Sequence, residues 1–237
     1  MSPHQSPAAD RIVTALRAIF GHRLRSVVAY GPHVENGSVD VAEPLSCLAL
    51  VANLTIADLE ASAARAHDWT RHQIATPLLL PEDEFRRSLD SFPLEYAEIL
   101  RAHQVLFGAN PFDGISIERA DLRRACETQI KSHLVHLREA YIEAGGTPRA
   151  VGDLVTASAP AFGALLRNIA RLNGSAERDR AAATREGARA AELPDGLVTS
   201  ILALERQTGL KAVDAARLFP EYLAAVEQLA RYVDTWR

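Results

Sequence analysis

The stretch LRSVVAYGP, Leu24 to Pro32, decides the fold. Its Val27-Val28-Ala29 centre is apolar and rich in β-branching, and Gly31-Pro32 ends it, so it reads as a buried strand. Upstream, Asp10 to Phe20 places Ile12, Leu16 and Ile19 on one face, which is a helix that Gly21 stops. Downstream, residues 33–44 (HVENGSVDVAEP) are a turn-rich loop, and Cys47 to Val51 is a second apolar strand. The order is therefore helix, strand, Tyr30-Gly31, loop, strand.

Further along, Thr55 can cap a helix reaching about His72, with Ile56, Leu59, Ala63 and Ala66 as its inner face. Ile74 to Leu80 reads as a third strand, and Pro81 suits the first turn of the short acidic helix PEDEFRRSL. Leu94 to Leu100 and Gln104 to Phe107 read as two strands or one long bent strand. Beyond about residue 115 nearly everything is helical. Leu122, Cys126, Ile130, Leu134, Leu137 and Tyr141 form one stripe on a helix over 117–144, which Gly145-Gly146 ends. Further helices are expected over 149–172, 177–191, 195–207 and 211–236, the charged, Ala-rich 176–191 being exposed. The expected class is α+β: a disordered lead (1–9), a mixed-sheet domain with flanking helices (10–115) and a helical bundle (116–237).

Composition narrows the function. With 237 residues, 48% apolar and 24% charged, the chain is ordinary globular protein with enough length for a sizeable core. A net charge of −4 argues against a nucleic-acid clamp built on bulk positive charge. No apolar run is long enough to span a bilayer, and MSPHQSPAAD lacks the basic head and apolar core of a signal peptide. The two cysteines, Cys47 and Cys126, make no disulfide framework and imply a reducing, cytoplasmic compartment. Only two basic residues are Lys (Lys131, Lys211), the rest being Arg, which reads as GC-rich bacterial coding bias. Walker, dinucleotide-binding, nucleophile-elbow and zinc motifs are absent from the sequence.

The helix–strand–Tyr-Gly–loop–strand order over residues 10–110 resembles the nucleotidyltransferase superfamily typified by DNA polymerase β and the antibiotic nucleotidyltransferases. SFPLEYAEILRAHQVLFG (91–108) is similar to the third-carboxylate strand of uncharacterised bacterial members, and CETQIKSHLVHLREAY (126–141) to the first helix of their helical domain. The resemblance implies a Gly-Ser at the end of the first strand, two metal-binding Asp one position apart on the second, and a third carboxylate on a later strand. Two metal ions about 3.5–4 Å apart then clamp the attacking and leaving oxygens. Asp-x-Asp suits this because alternate strand positions share a face.

The chain departs from that pattern at decisive places. Pro32 stands where Ser is expected and has neither hydroxyl nor N–H. Strand-to-strand alignment puts the metal carboxylates at Ser46 and Leu48, and no Asp or Glu occurs from Pro44 to Thr55. Gly31, Pro32 and Ser46 are thus vestigial nucleotide-site positions, and no metal site is expected. Glu95 matches the third acid, against the plainer reading of a strand acid paired with an Arg such as Arg101. Asp40 and Glu43 are the remaining vestigial catalytic candidates. They are three apart and share no strand face, and the plainer reading is solvated loop acids.

Smaller features carry plainer readings. His133 and His136 sit three apart on the long helix, with Cys126 two turns before His133, and these three could touch a metal only with help from elsewhere; His133, beside the apolar stripe, reads instead as a hydrogen-bonded interface histidine. Arg86-Arg87 and Arg123-Arg124 read as solvated helix faces rather than anion-binding patches, and Trp69 and Trp236 as packing residues. The expected function is a ligand- or partner-binding pseudoenzyme that has lost metal-dependent nucleotidyl transfer. A small molecule or nucleotide would then occupy an inter-domain cleft. One alternative is an active enzyme with a rearranged site, moving NMP from Mg²⁺–NTP to a hydroxyl acceptor. The other is a structural protein whose helical half forms homo-oligomers or meets a protein partner.

Overall fold

Ser6 and Pro7 together start the first element. The Ser6 side chain accepts a hydrogen bond from the Ala9 N–H (3.2 Å), and Pro7 takes a first-turn position where its missing N–H costs nothing. Helix α1 (Pro7–Phe20) follows, burying Ile12, Leu16 and Phe20. The computed structural model describes residues 6–31, 34, 44–177, 179–205 and 212–236. Pro32, Asp40 and Glu43 lie outside the described residues. The chain divides into two compact units, Met1–Glu118 and Arg119–Arg237.

The first unit is a mixed four-stranded sheet of β1 (Leu24–Tyr30), β2 (Ser46–Val51), β3 (Leu78–Pro81) and β4 (His103–Gly108). Their spatial order is β3-β2-β1-β4. β1 is antiparallel to both β2 and β4, and β3 is parallel to β2. That parallel pair needs a crossover, supplied by helices α2 (Ile56–Ala63) and α3 (Ala66–Arg71). One sheet face (Val27, Ala29, Cys47, Ala49, Val51) packs on α1, Trp69 and Ile74. The other (Val28, Leu48, Leu50) packs on Phe85 of α4 (Glu82–Arg87), on Tyr96 and Ile99 of α5 (Pro93–Arg101), and on Phe112.

Three expectations for this unit are corrected. Residues 94–100 are not strand but helix α5. Pro93 presets a helical φ at its first turn, and Leu94, Tyr96 and Ile99 go into the core. The expected strand over 74–80 contracts to β3 plus a bridge from Ile74 to Leu45, because Pro77 has no N–H to give the ladder. The expected helix from Thr55 to His72 is two helices, and α2 is turned over. Asp58 and Ser62 are buried, whereas Ile56 is 72% and Leu59 44% exposed.

Charge, not hydropathy, orients α2. Thr55 and Asp58 form a capping box, and Arg23 grips both Asp58 carboxylate oxygens at 2.7 and 2.8 Å. The Arg23 hydrogen bonds hold the Asp58 carboxyl well below the usual carboxylate range, against the opposing effect of burial.

The second unit is helical: α6 (Arg119–Glu143), α7 (Pro148–Leu172), α8 (Arg180–Ala190), α9 (Asp195–Glu205) and α10 (Ala212–Asp234). α7 is its centre, with Val155, Ala159, Phe162, Leu166 and Ile169 buried. The stripe on α6 buries Cys126, Ile130 and Leu137, while Tyr141 stays 40% exposed and stacks on Phe219 (4.3 Å). Helix α8 is not the exposed helix expected over 176–191. Its small residues Ala181, Ala183, Gly187 and Ala188 are buried. A Cβ at Gly187 would run into the Leu166 carbonyl, so glycine lets the two backbones meet. Among the described residues no helix is long and apolar enough to cross a membrane.

Candidate functional site

Of the residues singled out by sequence, Gly31 and Ser46 lie at one end of the sheet, beside Tyr30. Tyr30, the last residue of β1, is in register with Ser46 on β2 and with His103 on β4. Gly31 follows with φ +82°, a conformation that favours glycine, and its carbonyl accepts a hydrogen bond from the Val34 N–H (2.9 Å). A short row Ser46–Tyr30–His103 therefore borders the Tyr-Gly turn.

His103 is a residue that sequence reasoning missed. Its Nε2 lies 3.0 Å from Asn110 Oδ1 and its Nδ1 3.1 Å from the Ile99 carbonyl, with the Phe112 ring 4.8 Å away. Asn110 is oriented by accepting from the Phe112 N–H and donating to Asp113. No motif marks this histidine. Only the register of β4 against β1 brings it beside Tyr30. Burial pushes the Tyr30 phenol up, with smaller contributions from Cys47 and Glu98, so the hydroxyl stays protonated.

Ser46 and Leu48 share a face, being alternate residues of β2. Ser46 is half-buried at the sheet end, whereas Leu48 has no exposed surface. Leu48 sits between Val28 on β1 and Leu78 on β3. Above this face, Phe85 meets Tyr96 and Phe112 edge to face at 5.3 and 5.5 Å. The Tyr96 hydroxyl is tied to Ser88 (2.7 Å).

Glu95 is not on a strand. It is exposed in the first turn of α5, one residue before buried Tyr96. Neither β3 (LLLP) nor β4 (HQVLFG) carries a carboxylate. Asp40 and Glu43 lie outside the described residues, so Glu95 is the one sequence-picked acid that can be placed. Among the described residues no group of three or more His, Cys, Asp or Glu could hold a metal ion.

In the helical unit, His133 Nε2 and the Tyr222 hydroxyl are 3.0 Å apart, and the imidazole stacks on Phe162 at 6.2 Å. Burial, with His136 as a lesser cause, lowers the His133 pKa. The histidine is thus a hydrogen-bonded packing residue, and His136 instead pairs with Glu139 (2.9 Å).

No family model and no curated protein sequence matches the chain. Among solved structures the fold is similar to that of spectinomycin adenyltransferase AAD(9) from Enterococcus faecialis, determined with ATP and spectinomycin. The TM-score is 0.62 at 14% identity, over 96% of this chain and 98% of that one. The likeness therefore spans both the sheet and the helical unit, and at this identity it shows the fold alone.

Proposed function

We propose that this chain, which has the nucleotidyltransferase fold, has lost metal-dependent nucleotidyl transfer and serves as a pseudoenzyme that binds a ligand or partner at the Gly31–Ser46–His103 end of its sheet. The observation that carries this reading is the environment of Leu48. It is fully buried among Val28, Leu50, Phe85, Tyr96 and Ile99 on the face where the fold's metal carboxylates are expected. Mg²⁺ needs hard anionic oxygens, and this pocket of carbon atoms supplies none. A carboxylate there would also lose its hydration at a cost of several kcal/mol without a partner. The placement of Glu95 on a helix and the carboxylate-free β3 and β4 support the same reading. So the residues described do not fit the Mg²⁺ ions that transfer would require.

What remains at the sheet end is hydrogen-bonding rather than metal-binding chemistry. Ser46 offers a hydroxyl, Tyr30 a protonated phenol, and Gly31 a backbone without a side chain to obstruct approach. Calorimetric titration of the four NTPs, with and without Mg²⁺, tests the proposal. Absent or Mg²⁺-indifferent binding is expected. Mg²⁺-dependent binding of one NTP, lost in Glu95→Ala or Asp40→Ala, would overturn it in favour of an active enzyme transferring NMP to a hydroxyl acceptor.

A further inference from the structure

At one end of the helical unit, the first turn of α6 and the ends of α7 and α10 enclose an open recess of about 530 Å³. Its polar wall is Arg119, Arg123, Asn173 and Thr235, and its aromatic wall is Trp236. Among the described residues no carboxylate lines it. Such a volume is within the range of small-ligand pockets, roughly 300–1,000 Å³.

The two arginines are engaged differently. Arg119 donates through Nη2 to the Leu172 carbonyl (2.6 Å), capping the end of α7. That contact leaves donors of its guanidinium over. Arg123, one helical turn on, is half-buried and makes no hydrogen bond or ion pair with any described residue. Its neighbour Arg124 points elsewhere, to Asp121. A partly desolvated cation facing a recess whose described lining holds no counter-charge attracts an anion, and a guanidinium fork matches phosphate oxygens.

The rest of the wall is ordered by Tyr232. Its ring meets Trp236 edge to face at 5.6 Å, and its hydroxyl receives the Asn173 amide N–H (2.9 Å). The Thr235 hydroxyl donates to the Tyr232 carbonyl (2.7 Å), which leaves its lone pairs as acceptors. The indole is therefore held in place beside the cationic pair, where a planar ring can stack on it.

We propose that this recess binds a small aromatic phosphomonoester of the nucleoside monophosphate class, with its phosphate on Arg119 and Arg123 and its ring on Trp236. The sequence alone reads Arg123 as part of a solvated face. The recess, with no carboxylate among its described lining residues, makes it a ligand group. The site lies wholly within the helical unit, so it stands apart from the proposal for the sheet.

Tryptophan fluorescence of the full chain tests it, because the other indole, Trp69, is buried in the sheet unit. AMP, adenosine and inorganic phosphate are titrated separately. AMP should quench saturably and bind more tightly than either fragment. Arg123→Gln should weaken AMP about tenfold, the loss of one charge-assisted contact, with its thermal melt unchanged. Trp236→Phe should abolish the quench while calorimetry still detects AMP. The inference is overturned by absence of AMP binding at millimolar concentration, by unchanged affinity in Arg123→Gln, or by adenosine binding as tightly as AMP. An effect of NTPs confined to the sheet end would leave Trp236 unquenched, so the two proposals fail separately.

Discussion

Asp58 and His133 show how single side chains tie stability to pH. Arg23 holds the Asp58 carboxyl below its ordinary range, so the folded state releases that proton more readily than the unfolded chain does. Its contribution is complete above the ordinary carboxylate pKa of about 4 and fades as pH falls below it. Asp58→Asn should therefore lower the melting temperature at pH 7, and the gap to the parent should narrow steadily as pH falls from about 4 toward 2, as followed by circular dichroism. Thr55→Ala, which removes the other half of the capping box, should cost about 1 kcal/mol. His133 also has a lowered pKa, for a different reason. Burial keeps it neutral while the unfolded chain takes up a proton below about pH 6.5. Stability should fall as pH drops from 7 toward 5, and His133→Gln should flatten that slope in urea titrations at both values. Neither partnership is legible in the sequence. Arg23 and Asp58 are remote along the chain, and so are His133 and Tyr222.

Helices α2 and α8 carry the larger lesson at the scale of elements. Hydrophobic spacing assigned Ile56 and Leu59 to the core, yet the Arg23–Asp58 pair turns them outward. Ile56→Lys with Leu59→Lys should change stability by no more than about 0.5 kcal/mol in urea denaturation, as for surface sites. A core face would lose far more. In α8 the error runs the other way, because alanines and a glycine surrounded by charges look solvated. Gly187→Ala should destabilise by about 3 kcal/mol, since the added methyl would meet backbone rather than a yielding side chain. The same measurement on the helical unit checks it. The seven residues LEYAEIL (94–100) of α5 are too few for a period to separate strand from helix. Pro93 was the local signal that could have decided it.

Across the whole molecule, each unit has its own core and one buried thiol. Burial pushes the Cys47 and Cys126 thiols up to about 12, so at neutral pH neither is a thiolate. A thiol reagent should label neither in the native protein and both after denaturation. Followed through a denaturant series, Cys47 and Cys126 should become reactive in two separate transitions, as two cores allow. Peptide mapping of the labelled protein distinguishes this from one common transition.

The local features of the sequence determined the frame of this protein. β-Branched runs ended by Gly31, alternating with helical stripes, were enough to place β1, β2, α1 and α6 and to point to the nucleotidyltransferase fold. These signals are local, since a period or a turn residue acts within a few positions of itself. Tertiary structure alone decided which face of α2 is buried, that Glu95 rides a helix, and that α8 is packed. It alone also put His103 in one row with Tyr30 and Ser46, and Arg123 beside Trp236. Each of these depends on strand register, backbone approach or charge pairing between segments distant in the chain. Such pairings are chosen by the free energy of the whole unit, and no short window of sequence contains it.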